Sequence, residues 1–204
     1  MSHRARTCAA YWLRQVNGLH GPADAIQRLF CLVLVIAMWS LQAVAQGETG
    51  FADEDRDWGI APPPGLRGSN YHGRTPVTLP GARVVKTLEL KSMLEQESRP
   101  FLVDVLSGPA HRTLPGALWL HNGGLGDFDA AEEKRYLDTI ALLAGDDKAR
   151  HLVFFCSSAQ CWLSYNAALR AVRAGYTNVY WYRGGIDAWR AAELPTTGSD
   201  PFPW

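Results

Sequence analysis

The chain has 204 residues, of which 47% are hydrophobic, enough for the core of an ordinary globular domain. Its 20 basic residues balance its 20 acidic residues, so the formal net charge is zero. Residues 1–45 contain four arginines and one aspartate, which leaves 16 basic and 19 acidic residues in the remainder. Because a weakly acidic domain binds a phosphate backbone poorly, these numbers argue against a nucleic-acid partner.

The first predicted element is an export signal. An apolar run over residues 29–39 directly follows Arg28, and the small residues of Ala43-Val-Ala45 come after it. A positive flank, an apolar core and small residues at −3 and −1 are typical of a secretory signal peptide. The pattern predicts a signal peptide over residues 1–45 and a periplasmic location. The alternative is an uncleaved, tilted membrane anchor over residues 29–45.

The export signal also decides which cysteines remain. Cleavage after residue 45 would remove Cys8 and Cys31 and keep only Cys156 and Cys161. In an oxidising compartment a single close pair makes disulfide formation an option. The spacing of the pair differs from the two-residue gap of thioredoxin-type sites.

Residues 46–80 are predicted to be irregular, because Pro62-Pro-Pro64 and several glycines interrupt any regular element. Trp58 and Tyr71 lie within this polar stretch. The favoured interpretation is a segment whose aromatic residues pack on their own domain. The alternative is a segment that docks on a partner or covers a functional loop.

Residues 81–197 are predicted to form the domain, and residues 198–204 a C-terminal tail. The predicted elements are a strand at 84–85, a helix at 88–96, strands at 101–105 and 117–120, a helix from Asp129 to Gly145, a strand at 152–155, a helix at 162–174, a strand at 178–182 and a helix at 185–192. Strands that alternate with helices predict an α/β fold, with a parallel sheet of about five strands and helices on both faces.

The predicted functional loop lies between the strand at 152–155 and the helix that begins at Trp162. Cys156 follows that strand directly, and ligands gather at the carboxyl ends of parallel strands. A thiol before a helix N-terminus faces free backbone amides and the positive end of the helix dipole, which both favour the thiolate. We therefore predict that Cys156 is a nucleophile rather than an inert buried cysteine.

Several motifs follow one another along the chain: Phe101-Leu-Val-Asp104-Val, Leu114-Pro-Gly-Ala117, the Cys156 loop, Ala167-Ala168, Gly175-Tyr-Thr-Asn-Val179 and Gly184-Gly-Ile-Asp-Ala-Trp189. In this order they resemble the rhodanese domain. A closer resemblance is to the PQQ-dependent catabolism-associated CXXCW motif proteins, a rhodanese-like family thought to accompany alcohol-oxidising systems that use pyrroloquinoline quinone. It rests on Thr78-Leu-Pro-Gly-Ala-Arg-Val84, on His111-Arg-Thr-Leu-Pro-Gly-Ala-Leu-Trp119, and on Cys161-Trp162 leading into Ser164-Tyr-Asn-Ala-Ala168.

The rhodanese resemblance implies that Cys156 accepts a sulfane sulfur as a persulfide and passes it to a thiol or another acceptor. The residues expected to cradle the persulfide are Ser157, Ser158, Ala159, Gln160 and Trp162. Asp104 is expected either to orient the loop by accepting backbone hydrogen bonds or simply to end its strand. Cys161 is expected to resolve a Cys156 persulfide or sulfenic acid by forming a disulfide, if the two Cα atoms approach within about 7 Å.

The loop departs from the common rhodanese pattern in its charge. It contains no cationic residue, and Cys161 takes the position of the arginine that usually ends the loop. Thr113 stands where a histidine often stands, and His111 is displaced by two positions. Because only backbone dipoles would oppose the desolvation of a dianion, thiosulfate is not the expected donor.

The sequence therefore predicts a periplasmic sulfurtransferase or persulfide carrier in the context of PQQ-dependent alcohol catabolism, with a sulfur donor or thiol acceptor as its partner. One alternative is a dithiol–disulfide redox switch. Another is a non-catalytic binding module for a periplasmic dehydrogenase or transport system. No cofactor is expected, and no metal, because His72, His111, His121 and His151 show no ligand spacing.

Overall fold

The computed structural model describes residues 50–204, so the predicted signal peptide lies outside the described part of the chain. The elements are β1 (Arg83–Val84), α1 (Thr87–Leu94), β2 (Phe101–Asp104), β3 (Arg112–Thr113), β4 (Leu118–Trp119), α2 (Ala130–Ala144), β5 (Leu152–Phe155), α3 (Trp162–Arg173), β6 (Val179–Trp181), α4 (Gly185–Ala191) and β7 (Thr197–Gly198). Every predicted strand and helix is present, with ends within two residues of those expected. In this part of the chain, no helix has the length and apolar character needed to cross a bilayer.

Five strands form one parallel sheet in the order β1-β6-β5-β2-β4, which confirms the predicted α/β architecture. The register pairs Asp104 with Phe155 and Phe154 with Trp181. The carboxyl ends of β2, β5 and β6 therefore lie side by side, with β5 in the centre. Cys156 follows Phe155, so it lies at this edge of the sheet.

The sheet has a hydrophobic core on each face, because successive side chains of a strand point to opposite sides. Val103 and Phe154 pack with α2 and α3 on one face. Leu102, Val153 and Phe155 pack with α1 and α4 on the other. This two-face burial explains why β5 is a continuous apolar run.

Local capping signals set the ends of two helices. Asp129 and Glu132 form the predicted capping box at the start of α2, and Gly145 ends that helix in the left-handed conformation. Gly175 follows α3 with a φ of +87° and donates its amide to the Val172 carbonyl. Both glycines stop their helices as the sequence predicts.

The irregular segment before β1 packs on α3, which explains why α3 is buried around its whole circumference over its first ten residues. The Tyr165 hydroxyl donates to the Pro63 carbonyl. Asn166 is fully buried and pairs with the backbone of Arg67 through both its amide oxygen and its amide nitrogen. The aromatic Trp58 lies against Arg183 of the domain. The favoured interpretation, packing on its own domain, agrees with these contacts.

The C-terminal residues add a small second sheet that the sequence analysis did not predict. β7 pairs with β3 in antiparallel fashion, with Thr113 opposite Thr197. Beyond it, the Phe202 amide donates to the Trp119 carbonyl and the Trp204 indole donates to the His121 carbonyl. The chain after residue 197 is therefore fastened along the edge strand β4.

Candidate active site

The two cysteines of the loop are joined by a disulfide. The Cα atoms of Cys156 and Cys161 are 6.4 Å apart, within the range that a disulfide requires. Exposed fractions of 1% for Cys156 and 0% for Cys161 place both sulfur atoms inside the protein. The six-residue loop thus curls back on itself between the end of β5 and the start of α3.

The outer side of the loop is held by the start of α4. The Cys156 carbonyl accepts from the Ile186 amide at 3.0 Å, and the Ser157 carbonyl accepts from the Asp187 amide at 2.8 Å. This approach needs a glycine at position 185, which has a φ of +61°. A Cβ atom on Gly185 would lie 2.3 Å from the Cys156 carbonyl oxygen.

The sulfur of Cys156 faces the first turn of α3. Its Sγ atom lies 3.2 Å from the Ser164 hydroxyl oxygen. That hydroxyl accepts a hydrogen bond from the Trp181 indole at 3.0 Å, so its position is fixed from the neighbouring strand β6. The sequence analysis did not single out Ser164 as a site residue. Ser164 could have been found from its position in the first turn of the helix that follows the cysteine loop.

Some backbone amides of the predicted anion cradle already donate hydrogen bonds within the protein. The Cys161 amide donates to the Ser158 carbonyl, the Gln160 amide donates to the Ser158 hydroxyl, and the Trp162 amide donates to the Tyr71 carbonyl. Within residues 50–204, the amides at 157, 158 and 159 have no such partner. Of the amides in the predicted cradle, only these three remain available to an anion bound in the loop.

Residues 71–75, which we call the cover segment, lie across the loop. The Gly73 amide donates to the Gln160 carbonyl at 2.8 Å, and His72 pairs with Cys161 in an isolated antiparallel bridge. The buried Thr75 hydroxyl donates to the Ala159 carbonyl at 2.6 Å. The segment before the domain therefore also covers the functional loop, as the alternative interpretation of this region expected.

A buried arginine holds the cover segment in place. Arg183 lies two residues beyond the end of β6 and is 1% exposed. Its guanidinium donates to Thr75 and to three backbone carbonyls at positions 53, 54 and 56. Burial lowers the pKa of Arg183, and the nearby carboxylates of Asp57, Asp53 and Asp55 oppose that shift. The sequence analysis missed Arg183, although its position at the carboxyl end of a strand was a usable signal.

Asp104 supports a neighbouring loop rather than the backbone of the cysteine loop. It is fully buried, and it accepts from the Leu106 amide at 3.0 Å and from the Thr113 hydroxyl at 2.6 Å. The Leu106 amide is bound by Oδ1 and the Thr113 hydroxyl by Oδ2, and the same Oδ2 lies 2.7 Å from Nε2 of His111. This hydrogen bond raises the pKa of His111, although burial opposes the shift. The displaced His111 thus meets Asp104 beside the strand that carries Cys156.

Trp162 contributes to a surface cavity as well as to the loop. It is 3% exposed, and the Arg67 guanidinium lies 4.8 Å from its ring centre. In residues 50–204, no cluster of three or more His, Cys, Asp or Glu side chains is arranged to hold a metal ion.

The fold and the loop together define the class of protein. A parallel sheet with helices on both faces carries a cysteine at the carboxyl end of its central strand, as the first residue of a six-residue loop that leads into a helix N-terminus. Such a loop is suited to hold a sulfur-centred anion. The model of the rhodanese-like domain family matches residues 86–192, more than half of the chain, and the chain belongs to this family.

The chain also matches solved structures, among them one from Lactobacillus plantarum and one from Wolinella succinogenes. A crystal structure of a full-length protein from Lactobacillus plantarum is 20% identical, with a TM-score of 0.40, and the match covers 53% of this chain and 80% of that one. The solution structure of a 30 kDa polysulfide-sulfur transferase homodimer from Wolinella succinogenes is 15% identical, with a TM-score of 0.42, covering 59% of this chain and 80% of that one. A search of curated proteins returned no match.

Proposed function

We propose that the protein is a sulfurtransferase or persulfide carrier with Cys156 as nucleophile and Cys161 as resolving thiol. The observation that carries this proposal is the position of Cys156 at the carboxyl end of β5, within disulfide distance of Cys161. Membership of the rhodanese-like family supports a role of the sulfurtransferase type.

The chemistry has two steps. The Cys156 thiolate attacks the sulfane sulfur of a donor, and the remainder of the donor leaves with the electron pair of the broken bond. The product is a Cys156 persulfide, stabilised by the free amides at 157–159. An acceptor thiolate then takes the outer sulfur, and the Cys156 thiolate is regenerated.

Cys161 provides a second route by which the bound sulfur can be released. Its thiolate attacks Sγ of the Cys156 persulfide, the protein disulfide forms, and hydrosulfide leaves with the electron pair. The two thiols lose two electrons and the transferred sulfur gains them. A dithiol reductant must then restore both cysteines. The buried disulfide beneath the cover segment corresponds to the oxidised form of this cycle.

The test is mass spectrometry of reduced protein after treatment with inorganic polysulfide, on the peptide that contains both cysteines. Cys161→Ser should accumulate one additional sulfur on Cys156, because the resolving thiol is missing. Wild type should release sulfide and form the disulfide. Cys156→Ser should acquire much less sulfur in this peptide, because only the resolving thiol Cys161 remains; full sulfur transfer by Cys156→Ser would contradict the proposal.

The second candidate is a dithiol–disulfide switch without sulfur transfer. The pairing of His72 with Cys161 favours it, because opening the disulfide would loosen the cover segment that this pairing holds. A redox titration followed by alkylation measures the midpoint potential of the pair. If the midpoint potential is too low for the surrounding compartment to reach, the disulfide cannot be reduced there and the switch is eliminated. Sulfur transfer to Cys156 could still be tested with chemically reduced protein.

We further propose a periplasmic location and a role beside PQQ-dependent alcohol catabolism, with a periplasmic dehydrogenase or its transporter as partner. The export-signal pattern at residues 29–45 and the Cys161-Trp162 motif support this context. Fractionation of the producing cells tests the location. A strain that carries the double variant, Cys156→Ser with Cys161→Ser, tests the role. If the variant still folds and the strain no longer grows on alcohols, the result argues against a non-catalytic binding module.

A further inference from the structure

Each of the two cysteines occupies a position that favours a thiolate once the disulfide is reduced. Cys161 is the N-cap residue of α3, where the helix dipole stabilises an anion, and its sulfur caps no amide within residues 50–204. Cys156 precedes the amides at 157–159, which have no backbone acceptor in that part of the chain. The helix N-terminus alone therefore does not decide which sulfur atom carries the charge.

A buried hydroxyl group distinguishes the two sulfur atoms. Ser164 is 1% exposed, and its hydroxyl oxygen lies 3.2 Å from Sγ of Cys156. The contact of the same hydroxyl with Cys161 is to the backbone carbonyl and not to the sulfur. A donor that reaches only one of two neighbouring sulfur atoms stabilises a negative charge on that one.

The proton of the Ser164 hydroxyl is directed by Trp181. An indole nitrogen can only donate, so the Ser164 oxygen accepts from Trp181 at 3.0 Å, and its own proton is left for another acceptor. Two acceptors are within reach, Sγ of Cys156 at 3.2 Å and the Cys161 carbonyl at 3.4 Å. The second distance is long for an O–H···O bond, whose usual range ends at about 3.0 Å. A thiolate also attracts the proton more strongly than a neutral carbonyl does.

Other groups around the loop affect the ionisation of Cys156 less directly. The Cys161 carbonyl lies 3.4 Å from Sγ of Cys156 and would accept from a neutral thiol, which opposes ionisation through one long contact. The titratable side chains on β2, the cover segment, the first two turns of α3, β6 and the stretch from there through α4 are Asp104, Tyr71, His72, Arg74, Tyr165, Tyr180, Tyr182, Arg183, Asp187 and Arg190. The buried aspartate, the four tyrosines and Arg183 form hydrogen bonds with groups outside the loop. The other four side chains are exposed, so water and salt screen their charges.

We propose that the Ser164 hydroxyl of the reduced protein donates a hydrogen bond to the Cys156 thiolate and thereby makes Cys156, and not Cys161, the ionised thiol. Cys156 loses its proton to water in this step. Trp181 is a positioning residue, because its indole holds the hydroxyl oxygen of Ser164. This role of Ser164 rests on the proposed function for its consequence, which is that Cys156 attacks the sulfur donor while Cys161 stays protonated until the resolving step.

The test measures the ultraviolet absorbance of the thiolate against pH, because this signal needs no reagent to reach the buried sulfur atoms. Cys161→Ser and Cys156→Ser each leave one thiol of the loop, and the double variant supplies the baseline for tyrosine ionisation. We expect the Cys156 thiol to ionise at least about one pH unit below the Cys161 thiol, the shift that one hydrogen bond to an anion provides. Ionisation of Cys161 at the lower pH would overturn the proposal without any change at Ser164.

Variants at position 164 test the donor itself. In the Cys161→Ser background, Ser164→Ala should raise the pH midpoint of Cys156 ionisation by about one unit or more, and Ser164→Thr, which keeps a hydroxyl, should stay close to the parent value. Thr139→Ala is the matched control, because it removes a buried helix hydroxyl that donates to the Arg135 carbonyl, and it should leave the midpoint unchanged. An unchanged midpoint in Ser164→Ala would refute the role of the hydroxyl.

Treatment of the same variants with inorganic polysulfide separates this role from the proposed function. If Ser164→Ala shifts the midpoint but Cys156 gains no sulfur in any variant, the role of Ser164 in ionisation stands and sulfur transfer fails. If Cys156 gains sulfur and Ser164→Ala changes neither the midpoint nor the rate, sulfur transfer stands and the role of Ser164 fails.

Discussion

Replacement of Arg183 by methionine should detach the segment that covers the cysteine loop. Arg183 is buried and lies at the carboxyl end of β6, and methionine keeps much of its apolar length while it removes every donor. The Thr75 side chain, which accepts from Arg183, also donates to the Ala159 carbonyl of the loop. Loss of the Arg183 hydrogen bonds should therefore weaken the contact with the cysteine loop through one residue, Thr75.

The expected loss of stability can be calculated from the hydrogen-bond acceptors that would lose Arg183 as their donor. Arg183 donates to the carbonyls of Asp53, Glu54 and Arg56 and to both the carbonyl and the hydroxyl of Thr75, at 2.7 to 3.2 Å. Asp53 and Arg56 are exposed, so water can replace the arginine there. Glu54 and Thr75 are buried, and each buried acceptor left without a donor costs about 1–3 kcal/mol. We expect the free energy of unfolding to fall by about 2–5 kcal/mol.

Urea unfolding of the oxidised protein measures this change, and limited proteolysis shows whether cleavage moves into residues 50–76. Arg190→Met is the matched control, because Arg190 is an exposed arginine of α4, and its replacement should change stability by less than about 0.5 kcal/mol. A loss below about 1 kcal/mol in Arg183→Met, with an unchanged proteolysis pattern, would refute the reasoning.

Two further predictions concern the loop and its neighbour. Gly185→Ala should destabilise the protein by at least about 2 kcal/mol, because the left-handed backbone and the contact with the Cys156 carbonyl both disfavour a Cβ. Gly198→Ala, whose Cβ would meet no atom within 4 Å, should be nearly neutral. Urea unfolding measures both changes. The raised pKa of His111 should make folding less favourable with rising pH: its contribution is complete below the unfolded value of 6.5 and is lost as the pH rises through the folded-state pKa. Asp104→Asn should flatten this dependence above pH 6.5, measured by urea unfolding; an unchanged slope would contradict the role of the carboxylate.

The elements of the sheet could be predicted because their signals are local. β2 and β5 are short apolar runs, and burial on both faces of a parallel sheet produces that pattern. The capping box at Asp129 and the glycine at 145 mark the ends of α2 in the same local way. Cys156 could be selected as a candidate nucleophile, since it lies where such a strand meets a helix.

Other features depend on residues far apart in the chain. The strands β3 and β7 are two residues each, too short to carry a recognisable pattern, and they form only because residues 197–198 return to the loop after β2. Arg183 finds its acceptors about 110 to 130 residues earlier in the chain. No spacing rule connects an arginine after one strand with carbonyls in a distant irregular segment.

The alternation of strand and helix patterns in the sequence thus determines the α/β architecture and the position of the cysteine loop. Each of these elements has a local signal, either an apolar run that will be buried or residues that cap a helix. Whether Cys156 and Cys161 meet was left open by their spacing, since a five-position separation permits both a closed and an open loop. The closure is decided by contacts from outside the loop, with α4 on the Cys156 side and His72 on the Cys161 side. A disulfide needs its two Cα atoms within about 7 Å, and only the packed tertiary structure holds them there.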